Sequence, residues 1–122
     1  MKIIFKTSKV TLEGELNQTQ TAKEIYLKLP FESKVKTWGE ELYFEIPLKL
    51  KPENSTLDVE IGDIAYWPEG SCLCIFFGRT PLSTTNKPIP ASEVNIVGKL
   101  KGSLSILKEI KSLDTITVMK KD

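Results

Sequence analysis

The chain of 122 residues contains no histidine. That removes the side chain most often used to move protons near neutral pH, and the commonest nitrogen ligand of zinc and iron. Arginine is almost as scarce, with Arg79 the only one among 17 basic residues. Cysteine occurs twice, at Cys72 and Cys74. In a strand, residues two apart share a face, but their separation suits a disulfide poorly. No further soft ligand stands nearby to complete a metal site. The pair is therefore expected to be two reduced, buried thiols, with no metal and no cofactor.

An excess of one charge is missing too. The 17 basic and 16 acidic residues leave a net charge of +1, which argues against a general nucleic-acid surface. No apolar run approaches the length that spans a bilayer, so no membrane partner is expected. The opening "MKIIFKTSKV" is too short in its apolar part and too soon charged to read as a signal peptide, which makes the cytoplasm the expected location. Internal repeats and low-complexity tracts are absent as well.

What the chain does have is the composition of one soluble domain over residues 1–122, with 40% hydrophobic and 27% charged residues. Period-two alternation marks an opening hairpin over residues 2–6 and 9–16, in which Ile3 and Phe5, then Val10, Leu12 and Leu16, share a face. "NQTQTAKEIYLKLPF" follows. Thr19 or Thr21 can cap a short helix whose apolar side is Ala22, Ile25, Tyr26 and Leu29, and Pro30 stops it. In "WGEELYFEIPLKL", Leu42, Phe44 and Ile46 point one way while Glu41, Tyr43 and Glu45 point the other. Pro47 places this strand at an edge or a bulge. Residues 51–63 read as a loop with a weak extended piece at 57–61.

The two central strands lie in "GDIAYWPEGSCLCIFFG". In the second of them both faces are apolar, Leu73, Ile75 and Phe77 against Cys72, Cys74 and Phe76, so it is expected to be covered on both sides. Residues 78–93 form a long loop rich in proline, serine and threonine, the kind of segment that is often functional or mobile. A strand in "VNIVGKL", a second helix in "SLSILKEIKSL" with Leu104, Leu107 and Ile110 on one side, and a closing strand in "DTITVMKK" complete the order. Two helices and seven or eight strands in so short a chain point to a mainly β fold, a closed eight-stranded barrel with two capping helices.

Several segments, in the same order, resemble the cyclophilin family. "TAKEIYLKLPF" is similar to its first helix, "VNIVGKLKGSLSILKEI" to its strand, glycine-lysine turn and second helix, and "DTITVMK" to its last strand. "WGEELYFEIP" and "GDIAYWPEGSCLCIFFGRTP" resemble more closely the small bacterial and archaeal cyclophilin-like proteins of uncharacterised function. The resemblance implies the cyclophilin-like barrel and, in true cyclophilins, a prolyl isomerase groove on the outer barrel face. That groove uses an arginine, a glutamine, a tryptophan, a histidine and aromatic pocket residues. Here Glu45 falls about where the arginine belongs, Cys74 at or near a pocket phenylalanine, and Val94 near the histidine. A guanidinium aimed at the prolyl nitrogen can stabilise the twisted amide, whereas an ionised carboxylate cannot donate that hydrogen bond.

Carrying the groove over by parity gives a candidate ligand-lining set of Tyr43, Glu45, Tyr66, Trp67, Cys74, Phe76 and Arg79, with no catalytic residue assigned. The expectation is a binding module for a small molecule or peptide, without efficient isomerase catalysis. The competing readings are a prolyl isomerase or folding helper that uses Arg79 as donor, and a homo-oligomer formed through the outer wall around Trp67 and Phe76. In the blandest reading Tyr43, Trp67 and Phe76 only hold the long loop, Arg79 pairs with Glu45, and Trp38 anchors a strand entrance. Asp63 then shapes a turn, as a pairing with Glu60 for catalysis has little to support it.

Overall fold

Alternating apolar residues drive most of the chain into one antiparallel sheet, seen in a computed structural model that describes residues 1–122. Its strands are β1 (Lys2–Lys6), β2 (Thr11–Leu16), β3 (Phe31–Lys34), β4 (Lys36–Thr37), β5 (Glu41–Glu45), β6 (Asp63–Trp67), β7 (Cys72–Phe76), β8 (Asn95–Lys101) and β9 (Thr115–Lys120). They run in the order β3-β9-β1-β2-β8-β6-β7-β5-β4. The two edge strands are consecutive in the chain and separated only by Val35. That residue is buried, and its backbone bonds Asp114 and Leu113 (2.9 and 2.7 Å). The sheet thus curls until its edges meet through one bent segment, which removes the exposed edges that invite aggregation.

This is the mainly β barrel expected, with nine strands instead of eight. The extra count comes from residues 31–37, which read as a polar stretch because only Phe31 and Val35 carry apolar weight there. The weak extended piece at 57–61 forms no strand; one bridge, Thr56 to Val94, stands beside it.

Inside the barrel, Ile3, Phe5, Leu42, Phe44, Leu73 and Ile75 belong to a core of 21 buried residues. The helix α1 (Gln20–Lys28) follows β2 and closes one end with Ala22 and Ile25. Thr19 caps it by accepting from the Ala22 N–H, as expected for one of the two threonines. The second helical segment follows β8 at the opposite end. The second helix expected there is present as a 3-10 helix, Leu104–Glu109. Leu104, Leu107 and Ile110 recur every third residue, the spacing that eclipses side chains on a 3-10 turn.

Segment 48–56 crosses beside α1 and is fastened by a buried amide. Asn95 accepts from the Glu53 N–H (3.0 Å) and the Ser55 hydroxyl (2.6 Å), and donates to Thr21 Oγ1 and the Lys51 carbonyl (3.1 Å each). No helix is long and apolar enough to cross a membrane.

Candidate functional site

The site lies on the outer face of the barrel wall, where period two puts every second side chain of β5, β6 and β7 outside. Those are Glu41, Tyr43 and Glu45 on β5, Ala65 and Trp67 on β6, and Cys72, Cys74 and Phe76 on β7. Cross-strand register sets Tyr43 opposite Cys74 and Ala65 on the other side of Cys74. Over this wall folds the loop of residues 78–93. On the same outer side a second, smaller core forms from Val59, Ala65, Cys74, Phe76 and Val94, so β7 is covered on both sides as its sequence predicts.

The loop is held down by its own hydroxyls. Thr80 donates to the Ile89 carbonyl (2.6 Å) and Ser83 to the Lys87 carbonyl (2.8 Å). Gly39 lets the β4–β5 turn come close beneath it. Its φ is +62°, and a Cβ there would lie 2.7 Å from the Arg79 carbonyl, so no other residue fits without moving one of them. The adjacent Glu40 N–H donates to that same carbonyl (2.7 Å).

Where the loop's last turn stands off the wall, a pocket of about 180 Å³ remains. Glu41, Tyr43 and Cys74 line it from the wall, Trp38 and Trp67 from the sides, and Pro90, Ala91, Ser92 and Val94 from the loop and the start of β8. The rings of Tyr43 and Trp67 meet edge to face, with centroids 6.4 Å apart and planes at 88°. Trp67 is further fixed by its indole N–H, which donates to Ser92 Oγ (2.6 Å), while Ser92 donates to Glu69 (2.7 Å). One chain of hydrogen bonds therefore orients the aromatic wall and the loop together.

Glu41 is the unusual group. It is 6% exposed, and no lysine or arginine lies within ion-pair distance of it. Burial pushes its pKa up from the usual 4.5 to about 7, against a smaller lowering by the Cys74 thiol beside it. Burial and the Glu41 charge in turn push Cys74 well above its ordinary value, and burial with nearby carboxylates raises Cys72 to about 11. Both cysteines are free and buried. They are protonated thiols at neutral pH, poor as nucleophiles and as metal ligands.

Of the candidate residues, the pocket brings together Tyr43, Trp67 and Cys74. The other four stand elsewhere. Tyr66 cannot share the outer face with its neighbour Trp67, and it lies in the barrel core, where its hydroxyl donates to the Leu48 carbonyl and accepts from the Leu50 N–H (2.9 Å each). Phe76 is fully buried, in the same small core as Val59 and Val94, so it offers no surface to a ligand or to a second copy. Glu45 is exposed and borders a separate depression of about 360 Å³ with Lys36, Tyr43 and Cys72, outside the pocket. Arg79 is exposed and does not pair with Glu45; its guanidinium donates to the Ser83 carbonyl (3.1 Å).

Six of the nine lining residues were outside the candidate set: Pro90, Ala91, Ser92 and Val94 on the loop side, and Glu41 and Trp38 on the wall side. Glu41 shares the outward face of Tyr43 and Glu45, a signal that parity alone carries. Trp38 does anchor the strand entrance, through its N–H to the Glu41 carbonyl (2.9 Å), and lines the pocket as well. Asp63 shapes its turn as expected, accepting from the Glu60 N–H (2.8 Å) and pairing with Lys99 (2.6 Å).

A nearly closed antiparallel β barrel with two short helices places the chain in the cyclophilin-like class. The family model described as cyclophilin-like matches residues 1–119, and the chain belongs to that family. It is similar to a hypothetical protein of Archaeoglobus fulgidus, known from its solution structure. The two share 34% identity over 99% of this chain and 95% of that one, with a TM-score of 0.85. Among curated proteins, none matches the chain in sequence.

Proposed function

We propose that the protein is a non-catalytic binding module that holds a small molecule, or one side chain of a peptide, in the outer-wall pocket over Glu41 and Tyr43. The observation that carries this reading is the buried, unpaired Glu41 carboxylate at a pocket otherwise lined mainly by aromatic and apolar groups. Convergence of a few polar atoms in an apolar concavity is the usual mark of a ligand site. Drug-sized ligands occupy about 300–1,000 Å³, and this pocket of about 180 Å³ is smaller. Its occupant is correspondingly small, and an extended peptide would insert a single residue.

The test is a fragment screen followed by backbone amide and indole chemical shifts. Fragments that bind are expected to move the signals of Trp38, Tyr43, Trp67 and Ser92 together. Shifts scattered over the barrel, or confined to the exposed Glu45 end, would refute the assignment.

Isomerase chemistry by the cyclophilin route is not supported by this arrangement. The barrier to prolyl rotation, roughly 18–20 kcal/mol, falls when a donor reaches the amide nitrogen. The one guanidinium is engaged within its own loop, and the group in the pocket is a carboxylic acid. In a chymotrypsin-coupled assay, Xaa-Pro peptides are expected to isomerise at the uncatalysed rate, with wild type and Arg79→Ala indistinguishable. Fast turnover lost on Arg79→Ala would establish the isomerase reading instead.

A further inference from the structure

The pocket holds one charge-bearing carboxylate and no cation to answer it. No lysine or arginine is among its lining residues, and the Glu41 carboxylate has no ion-pair partner, only the weak donor of the Cys74 thiol beside it. Three neighbouring carboxylates are engaged, while Glu45 and Glu93 have no partner but stand exposed to solvent. Glu40 faces Lys108 (3.8 Å), Glu69 accepts from Ser92, and Asp63 pairs with Lys99. Burying a carboxylate without a cationic partner is costly, and the only compensation for Glu41 within the fold is the smaller lowering by the Cys74 thiol.

The surfaces around it are aromatic. Trp38, Tyr43 and Trp67 border the same small space, and Trp67 is locked in place through Ser92. Aromatic faces attract cations through the ring quadrupole, tryptophan most strongly, and recognise alkylated ammonium groups in such cages.

Resting on the binding reading above, we infer that the pocket selects an organic cation, a small alkylated ammonium whose charge meets Glu41 and whose methyl groups meet Trp38, Tyr43 and Trp67. A neutral ligand of the same shape would fill the aromatic wall but further desolvate the carboxylate. A metal ion would leave the rings unused.

Proton and ligand then compete for one carboxylate. With Glu41 titrating at about 7, the ionised fraction rises about tenfold between pH 6 and pH 8. The other titratable groups at the pocket are the Cys74 thiol from β7 and the Tyr43 hydroxyl on Glu41's own strand, with Cys72 one step further along β7. The loop segment contributes only Pro90, Ala91 and Ser92. Cys74 and Cys72 are both pushed up and keep their protons across this range.

Choline and its uncharged isostere 3,3-dimethylbutan-1-ol are the probes, titrated into the full chain and followed by tryptophan fluorescence and calorimetry. Choline is expected to bind at least tenfold more tightly than the alcohol at pH 8. Its affinity is expected to fall about tenfold at pH 6, and the preference to vanish in Glu41→Gln. Equal binding of the two probes, or a choline affinity indifferent to pH, overturns the cation assignment and leaves the pocket standing. Failure of both probes to perturb either tryptophan overturns the cation assignment, and the fragment screen then decides the pocket separately. The pH profile is read on wild type, so the inference stays falsifiable even if Glu41→Gln folds poorly.

Discussion

Phe76→Ala is expected to lower the unfolding free energy by about 3–5 kcal/mol, the cost of removing a large side chain from a site that cannot collapse around the gap. Phe76 is fully buried and sits with Val59, Ala65, Cys74 and Val94 in the small core on the outer side of the barrel wall. A loss of that size is a large part of the roughly 5–15 kcal/mol that holds a domain of ordinary stability. Chemical denaturation at a fixed pH measures it. The outcome separates two roles that the sequence left joined, because a ligand-lining phenylalanine at a groove surface would cost under about 1 kcal/mol when truncated. A small effect on stability would mean that the segments carrying Val59 and Val94 do not seal this wall.

The second large effect is the pH dependence set by Glu41. Its folded pKa lies above the ordinary value, raised first by burial. An acid raised on folding contributes stability that is fully present below its unfolded value and lost as pH climbs through the folded one. The rise from 4.5 to about 7 corresponds to about 3 kcal/mol, lost between those two values. For a chain of this size that amounts to roughly 10 °C in Tm. Wild type is therefore expected to melt lower at pH 8 than at pH 5. Glu41→Gln removes the ionisation, and is expected to flatten this slope and to exceed wild type by about 3 kcal/mol at pH 8, where the amide costs less to bury than a carboxylate. At pH 4 the two should melt together. A variant no more stable than wild type at pH 8 would show that Glu41 is solvated or paired in solution.

Most of the barrel was legible because its strands alternate cleanly. In β1, β2, β5 and β9 one face is apolar and one polar, and β7 is apolar on both because it is covered on both. Residues 31–37 gave no such signal. Phe31 and Val35 are separated by Glu32 and Lys34, and the segment is a strand only because β9 and β5 wait on either side of it. The second helix was legible in place but not in type, although Leu104, Leu107 and Ile110 already carried a spacing of three instead of the alternating three and four of an α-helix.

The site was legible by face and not by depth. Parity placed Tyr43, Trp67 and Cys74 on the outer wall, and the same rule, applied to the neighbour of Trp67, turns Tyr66 inward. Nothing local announces that Glu41 is buried while Glu45, four residues along the same face, is exposed. That difference comes from the loop of residues 78–93, whose position depends on hydrogen bonds such as Trp67 to Ser92 between segments 25 residues apart. Burial imposed by a distant segment leaves no mark on the strand it covers, so the acid at the pocket became visible only when the loop was in place.

The carbonyl carbon of the Glu41 side chain, followed by NMR as pH is raised from 3 to 9, reports the ionisation of this group and no other. The account predicts a midpoint near 7, moving downward when choline is added. A midpoint near 4.5, unmoved by choline, would contradict it.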